Sequence, residues 1–372
     1  MAESQKIKVL HFIHGLTFGG AETVVKEISL GLDKSKFDLT VLCSIKYGTE
    51  YEKLLEDNNI HVEYINDYSK KKPSKKITKI LIAIRRFVRI RRYIHELRPD
   101  VIHIHLCLNA YIRFALPRKP VKIFYHVHAE PYFVWRNDVR DKKAAKWLVR
   151  HYGMRFITLH ERMKHEIDEM FHVNNTVVLN NGIDFDRFIN LPSSENEKKS
   201  LGIPENAFVI GHIGRFEEEK NHKYLIEVFK EIHKSNPNAF LLMIGEGTLK
   251  KTIQESLLNE KLENNYKILS NRKDVPEILQ AMNFFVFPSL CEGLGIVLIE
   301  AQKAGIKCVA SNTVPEQTRV SNYIKYLDIN DSPIKWANEI LNYNSQKEEF
   351  YGIEAWDIKN VIKQLEHYYL EN

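Results

Sequence analysis

Two acids, Glu292 and Glu300, bracket the stretch Glu292-Gly-Leu-Gly-Ile-Val-Leu-Ile-Glu300, and the residue types between them suit an anion. The stretch follows an apolar run, Phe284-Phe-Val-Phe-Pro-Ser289, and its second half reads as a helix from Gly295 to about Ala304. A loop that enters a helix at the end of a buried strand is where open α/β sheets hold their ligands. Gly293 and Gly295 leave backbone N–H groups bare at the helix start, a ready cradle for phosphate. Glu292 in the loop and Glu300 two turns along the helix can each accept from hydroxyls. Phosphate donors flanked by two hydroxyl-seeking carboxylates suit a sugar nucleotide.

Other residues carry chemistry that is less specific when taken alone. Arg215 ends the apolar run Phe208–Phe216, and Lys220 precedes a helix start at Asn221. Arginine grips two oxygens in a fixed fork and lysine acts as a mobile point charge. Together they can neutralise a departing diphosphate, the part a metal ion plays in other enzymes of that chemistry. On their own an ordinary surface ion pair is the better reading, because Glu217, Glu218 and Glu219 stand between them. His126 and His128 end one apolar run, and His103 and His105 end the one before it. Alternation along each strand is read as turning the members of a pair to opposite faces, so that one of each enters a given cleft. For any one of these four, a satisfied core or rim histidine is the commoner outcome. The Gly19-Gly20 pair, between the first strand and first helix, permits close approach of backbone to an anion, or simply a tight turn. The loop around it is not GxGxxG, which counts against a dinucleotide oxidoreductase.

Two motifs are set aside. Asp184-Phe-Asp186 has the form of a DxD metal site, but its context before a polar stretch suits a turn. His160 and His165 are five apart, so on a helix they diverge by about 140° and cannot share a metal. No P-loop and no nucleophile elbow is present. No metal is expected.

These residues need a scaffold that brings distant segments to one edge. The 372 residues suit two domains. Apolar strands alternate with helical patterns along the whole chain, which predicts two parallel sheets covered on both faces. Strands are expected near Ile7–His14, Asp38–Ser44, His61–Ile65, Val101–His105, Val121–His128, Phe156–Leu159 and Thr176–Leu179. In the second half they are expected near Phe208–Phe216, Phe240–Gly245, Tyr266–Leu269, Phe284–Ser289, Cys308–Ser311 and Tyr323–Leu327. The polar, aperiodic segment from Leu191 to Ser200 reads as the linker, giving domains 1–190 and 191–354 with a final helix in 355–372. A substrate would then be enclosed in a cleft between the two.

Composition narrows the class further. With 44% hydrophobic and 27% charged residues the chain is globular rather than disordered. Four scattered cysteines, Cys43, Cys107, Cys291 and Cys308, form no metal spacing and read as reduced. Without a signal peptide or an apolar run long enough for a membrane span, the chain reads as cytoplasmic. Residues 70–94 hold eleven Lys or Arg and no acid, so a net charge of +6 overall leaves −5 for everything else. Within that segment Ile77, Ile80, Leu81, Ile84, Phe87, Val88 and Ile94 recur at helical spacing. A basic amphipathic helix suits an anionic membrane surface, and equally an ordinary helix with its stripe in the core. Nucleic acid is not expected, since no binding motif accompanies the basic segment.

Six segments together resemble, in order and spacing, the retaining GT-B glycosyltransferases of family 4, the "glycosyl transferases group 1". They are Gly19-Gly-Ala-Glu22, Tyr125-His-Val-His128, Asn181-Gly-Ile-Asp184, Gly214-Arg-Phe-Glu-Glu-Glu-Lys-Asn-His222, Gly245-Glu-Gly247 and Glu292…Glu300. The subgroup most resembled builds bacterial capsular or exopolysaccharide. The resemblance implies an α/β GT-B architecture of two Rossmann-like domains, with the last helix crossing back onto the first. It implies transfer of a sugar from a nucleoside diphosphate sugar, UDP on family frequency, to a glycan or lipid-linked glycan, with no cofactor. By the same resemblance Arg215 and Lys220 bind the diphosphate, and Glu300 accepts from the ribose. Glu292 meets the donor sugar, where Gly293, Leu294, Gly295, Ile296 and Val297 line the site and offer N–H groups. Gly19, Gly20, Gly245 and Glu246 join the donor site, with Asn271 and Arg272 near the base. A histidine at His126 or His128 lies at the point of transfer. The rival readings are a sugar-nucleotide epimerase or hydrolase on the same fold, and an inactive partner docked at the inner membrane surface.

Overall fold

Apolar runs become the strands of two parallel sheets, each with helices on both faces. The computed structural model describes residues 6–17, 19–66, 76–116, 120–136, 138–344 and 348–371. Contacts divide the chain into two compact units, Met1–Gly182 with Ala355–Asn372, and Ile183–Glu354.

In the first unit the strands are β1 (Ile7–Ile13), β2 (Phe37–Ile45), β3 (His61–Asn66), β4 (Val101–His105), β5 (Lys122–His126), β6 (Arg155–Thr158) and β7 (Val177–Val178). They lie in the order β3-β2-β1-β4-β5-β6-β7. The register sets His11 of β1 beside His103 of β4, and His105 of β4 beside His126 of β5. One core layer joins Val25 and Ile28 of the first helix to Ile358, Val361, Ile362 and Leu365 of the last. That last helix, Ile358–Leu370, thus belongs to the first unit although it ends the chain. Lys122 Nζ donates to the carbonyl of Tyr369 at 2.9 Å, and Arg155 pairs with Glu371 at 2.6 Å.

The second unit holds β8 (Phe208–Ile213), β9 (Ala239–Ile244), β10 (Tyr266–Leu269), β11 (Phe284–Phe287), β12 (Lys307–Ser311) and β13 (Ile324–Leu327), in the order β10-β9-β8-β11-β12-β13. Its two core layers hold β8, β9 and β11 residues on opposite faces, Val209, Leu242 and Phe285 on one and Ile210, Leu241 and Val286 on the other. Both sheets reverse direction of winding next to their first strand, β1 or β8, which is where such folds open a crevice for ligand.

The segment read as a linker is different in kind. Residues Ser194–Ser200 form a helix within the second unit, capped by Ser193, whose hydroxyl accepts from Asn196 N. Lys198 is buried and donates to the carbonyl of Ala207 at 2.9 Å. A short helix of Ser, Glu, Asn and Lys lacks an apolar stripe, so its sequence shows no period. The division between units falls earlier, at Gly182 and Ile183. Asp184 caps a short 3-10 turn by accepting from Asp186 N at 3.1 Å, which accounts for the DxD pattern as a turn.

The basic segment is a helix from Lys76 to Leu97, and residues 70–75 of it lie outside the described residues. Its stripe divides. Ile90 and Ile94 are buried in the core, whereas Ile84 and Val88 are exposed. Arg86 bonds the Tyr111 hydroxyl at 3.0 Å and Arg91 the carbonyl of Phe114 at 2.8 Å, so part of the basic face is tied to the unit itself.

Candidate functional site

Four adjacent strands of the second unit, β10, β9, β8 and β11, end at one edge, and the loops leaving them carry most of the residues picked out by type. The loop after β8 contains Arg215 and Lys220, the loop after β9 Gly245 and Glu246, the loop after β10 Asn271 and Arg272, and the loop after β11 Glu292 to Gly295.

Lys220 and Glu292 form an ion pair, with only 14% and 9% of their side chains exposed. The Lys220 ammonium also lies 4.9 Å from the centre of the Phe287 ring, which stabilises its charge from below. An ammonium has three donors, so the pair leaves capacity for oxygens of a ligand. The backbone knits the two loops together, since Leu290 N donates to the carbonyl of Glu219 at 2.8 Å.

Arg215 is placed otherwise than a buried grip would require. Its side chain is 75% exposed and bonds Glu219 at 2.7 Å, the surface pair that the intervening acids suggested. Such a pair contributes about 0–1 kcal/mol, so exchange of Glu219 for a diphosphate costs little.

Gly245 and Gly247 serve their own loops. A Cβ at Gly245 would fall 2.0 Å from the carbonyl oxygen of Gly214, and one at Gly247 2.4 Å from that of Phe216. Phe216 N in turn donates to the carbonyl of Glu246 at 2.9 Å, and Leu249 N to that of Phe216. The glycines therefore let the β9 loop lie against the backbone that carries Arg215. Glu217 accepts from Thr248 N and Oγ1 at 2.9 and 2.7 Å, which lowers its pKa. The Glu246 carboxyl is lowered by its bonds with Ser270 and Lys250. Arg272 is paired with Asp274, and Asn271 adopts a left-handed turn with φ 52°.

The helix after β11 runs Ile296–Lys303 with Gly295 as its N-cap, in a left-handed conformation at φ 84°. A side chain at that φ is strained, and glycine brings no capping group of its own. The first N–H groups of the helix, at Ile296 and Val297, are thus left for solvent or a ligand. Leu294 is buried beneath the turn, and Glu300 is half-buried on the helix. Gln302, passed over in the sequence, anchors this helix. Fully buried, it donates to the carbonyl of Thr318 at 2.7 Å and accepts from Val320 N, Ser321 N and Ser321 Oγ. No periodicity signals such a residue, because its four partners lie in a loop 16 to 19 residues away.

His212 and His222 sit behind Lys220 with ring centroids 4.7 Å apart. Burial holds His222 down to about 4 and His212 well below the usual imidazole range. An imidazole depressed in the folded state protonates more readily in the unfolded one. Stability is therefore full above pH 6.5 and declines as pH falls toward 4. His222 alone removes about 2 kcal/mol at pH 5. Thermal unfolding followed at pH 7 and pH 5 should show that loss, and His222→Phe should reduce it.

In the first unit, His126 and His128 share one face of the sheet, with rings stacked 4.2 Å apart, and so do His103 and His105 at the same separation. The expectation of opposite faces fails because the side-chain period of a strand is two, so positions i and i+2 point the same way. His126 is fully buried, and His128 is half-buried. Desolvation holds His126 well below the usual range and His128 at about 3, so both are neutral at pH 7. Gly19 caps the helix Gly20–Gly31, but the anion over it is the chain's own. Glu22 folds back across Gly19 and accepts from Thr17 Oγ1 at 3.0 Å. Gly20 has open space around it.

Two family models match the chain, "Glycosyltransferase Family 4" over residues 18–187 and "Glycosyl transferases group 1" over residues 193–347. The chain is 27% identical over 331 residues to the UDP-Gal:alpha-D-GlcNAc-diphosphoundecaprenol alpha-1,3-galactosyltransferase of Escherichia coli, spanning 85% of this chain and 82% of that one. It is 33% identical over 163 residues to the capsular polysaccharide biosynthesis glycosyltransferase CapM of Staphylococcus aureus, covering 42% and 43%. The solved structure of Anabaena Alr3699/HepE in complex with UDP matches with a TM-score of 0.77 at 19% identity, over 98% of this chain and 99% of that one.

Proposed function

Because this chain belongs to the family 4, or group 1, glycosyltransferases of the GT-B fold and serves glycan assembly, we propose that it transfers a sugar from a UDP-sugar to a hydroxyl of a glycan or lipid-linked glycan. The reaction retains the anomeric configuration and needs no metal ion. The observation that carries this reading is the Lys220–Glu292 pair beside a glycine-opened helix start, at the strand ends of one sheet. Lys220 neutralises the departing diphosphate, helped by Arg215 once it leaves Glu219. N–H groups at Gly295, Ile296 and Val297 receive the phosphate or the sugar. Glu292 holds Lys220 and accepts from a sugar hydroxyl, and Glu300 accepts from the ribose. The leaving phosphate takes the proton of the acceptor hydroxyl, so no protein nucleophile is required. The acceptor is assigned to the first unit, near His126, His128 and the Gly19–Gly20 turn.

UDP is favoured because the Escherichia coli relative is named for UDP-Gal and the Anabaena structure holds UDP. Calorimetric titration of UDP, GDP and ADP tests this. UDP should bind selectively, and Glu300→Ala should weaken it about 10–100-fold, the effect of losing a hydrogen bond to a charged group. Equal weak binding of all three, or none, would refute the donor assignment.

A lipid-linked acceptor also suits the surface around the basic helix. Among the described residues no helix is long and apolar enough to cross a membrane. Ile84 and Val88 are exposed at 55% and 54%, with Phe114 at 57% and cations around them. We assign this face to an anionic bilayer surface. Ile84→Glu with Val88→Glu should lower co-sedimentation with phosphatidylglycerol vesicles several-fold and leave UDP affinity unchanged.

A further inference from the structure

Five histidines of the first unit, His11 of β1, His103 and His105 of β4, and His126 with His128 at the end of β5, stack on one face of the sheet. Four of them share one line of hydrogen bonds. His128 Nε2 lies 3.0 Å from His105 Nδ1, His105 Nε2 3.2 Å from His11 Nδ1, and His11 Nε2 3.0 Å from the Tyr369 hydroxyl, which also meets His103 Nδ1. Burial holds all four rings below the usual imidazole range, so at pH 7 each is neutral and carries one hydrogen. One hydrogen per ring makes the line directional, because a ring that receives at one nitrogen must give at the other. Its direction is set at the inner end, where the Tyr369 hydroxyl has one hydrogen and two neighbours. If Tyr369 gives to His103, the hydrogen of His103 sits on Nε2, a buried atom with no hydrogen-bond partner. If Tyr369 gives to His11, His103 gives its own hydrogen to Tyr369 from Nδ1, and its Nε2 is left as a bare lone pair. A buried N–H without a partner is rarer than a bare acceptor, so the second arrangement holds.

Every bond then points outward, from Tyr369 to His11, from His11 to His105 and from His105 to His128. His128 receives at Nε2 and keeps its hydrogen on Nδ1. Among the described residues that Nδ1 has no partner, and His128 is the half-buried member of the line. We propose that His105, backed by His11 and Tyr369, is a positioning residue that fixes His128 as its Nδ1–H tautomer. His128 thereby presents a hydrogen-bond donor, and no basic lone pair, to a substrate oxygen at the point of transfer. That role rests on the transferase reading, and it agrees with the leaving phosphate, rather than a histidine, taking the acceptor's proton. The direction of the bonds belongs to the fold of the first unit alone.

Nitrogen-15 spectra of the full chain, labelled in histidine and recorded at pH 7.5, test this, with the His128 signals assigned by their loss in His128→Ala. The His128 ring should show hydrogen on Nδ1 and a lone pair on Nε2. His105→Met sets a thioether, which accepts but cannot donate, against His128 Nε2, and the ring should pass to its Nε2–H form. His126→Phe keeps a ring stacked on His128 but outside the line, so the Nδ1–H form should persist there. In His105→Met, UDP affinity should be unchanged while kcat/KM for UDP release from the donor falls about 10-fold, the loss of one oriented hydrogen bond. An Nε2–H ring at His128 in the parent chain overturns the proposal by itself, even if His105→Met does not fold. A tautomer that survives His105→Met, or that changes equally in His126→Phe, overturns it too, as does unchanged UDP release. Failure of the parent chain to bind UDP refutes the transferase reading instead, and the spectra still decide the tautomer.

Discussion

Lys220→Ala should lower kcat/KM for UDP release from the donor by about 10²–10³-fold, the effect of removing one fixed charge from a site where negative charge develops. The size follows from its setting. Lys220 is 14% exposed, paired with Glu292 and backed by the Phe287 ring, so no water replaces its charge at comparable strength. Its removal also leaves Glu292 half-buried without its cation, and part of the effect belongs to that acid. A cycle with Glu292→Gln separates the two contributions, because the double variant carries no stranded charge. Lys220→Arg is not a conservative change, since the lysine stem is already 3.3 Å from the place a Cβ would take at Gly214. Arg215→Ala should cost less, because its side chain is 75% exposed and paired with Glu219 in solvent, where a charge contributes little. Turnover of Lys220→Ala within threefold of the parent chain would end the diphosphate assignment.

Gly245→Ala should destabilise the second unit by about 3 kcal/mol, with a fall in Tm of roughly 10 °C. The added Cβ meets the carbonyl oxygen of Gly214 at 2.0 Å, and that atom is backbone, so no side-chain rotation relieves the clash. The strand end bearing Arg215 must move, and UDP affinity should fall with it. Gly20→Ala is the control for stability. Open space surrounds that position at the start of a helix, so the substitution should leave Tm unchanged or slightly raised. If Gly245→Ala melts with the parent chain, the two loops are not packed as their contacts require.

Much of this architecture is local information. Each run expected as a strand became one, with ends shifted by a few residues, because alternation of apolar strands and amphipathic helices is carried within each segment. The helix start at Gly295, with Glu292 in the loop before it and Glu300 on the helix, was equally legible, because glycine at a strand-to-helix junction is a local signal. The Leu191–Ser200 segment misled because a capped polar helix has no stripe to read. The histidines misled through a misapplied period, and a strand's two-residue repeat already placed His126 and His128 on one face.

Adjacency is another matter, since it depends on sheet order and register rather than on any segment. Lys220 meets Glu292 across 72 residues because β8 and β11 are neighbours. Gly245 is needed only because the β8 loop lies against it, and most of Gln302's partners lie in a loop beyond its own helix. The histidine cluster exists because β1, β4 and β5 lie side by side and their register stacks like residues across the sheet. The chain's own pattern chose the elements and the chemical types at their ends. The order in which the strands pair, a long-range outcome of burying both faces of each sheet, decided which of those residues touch.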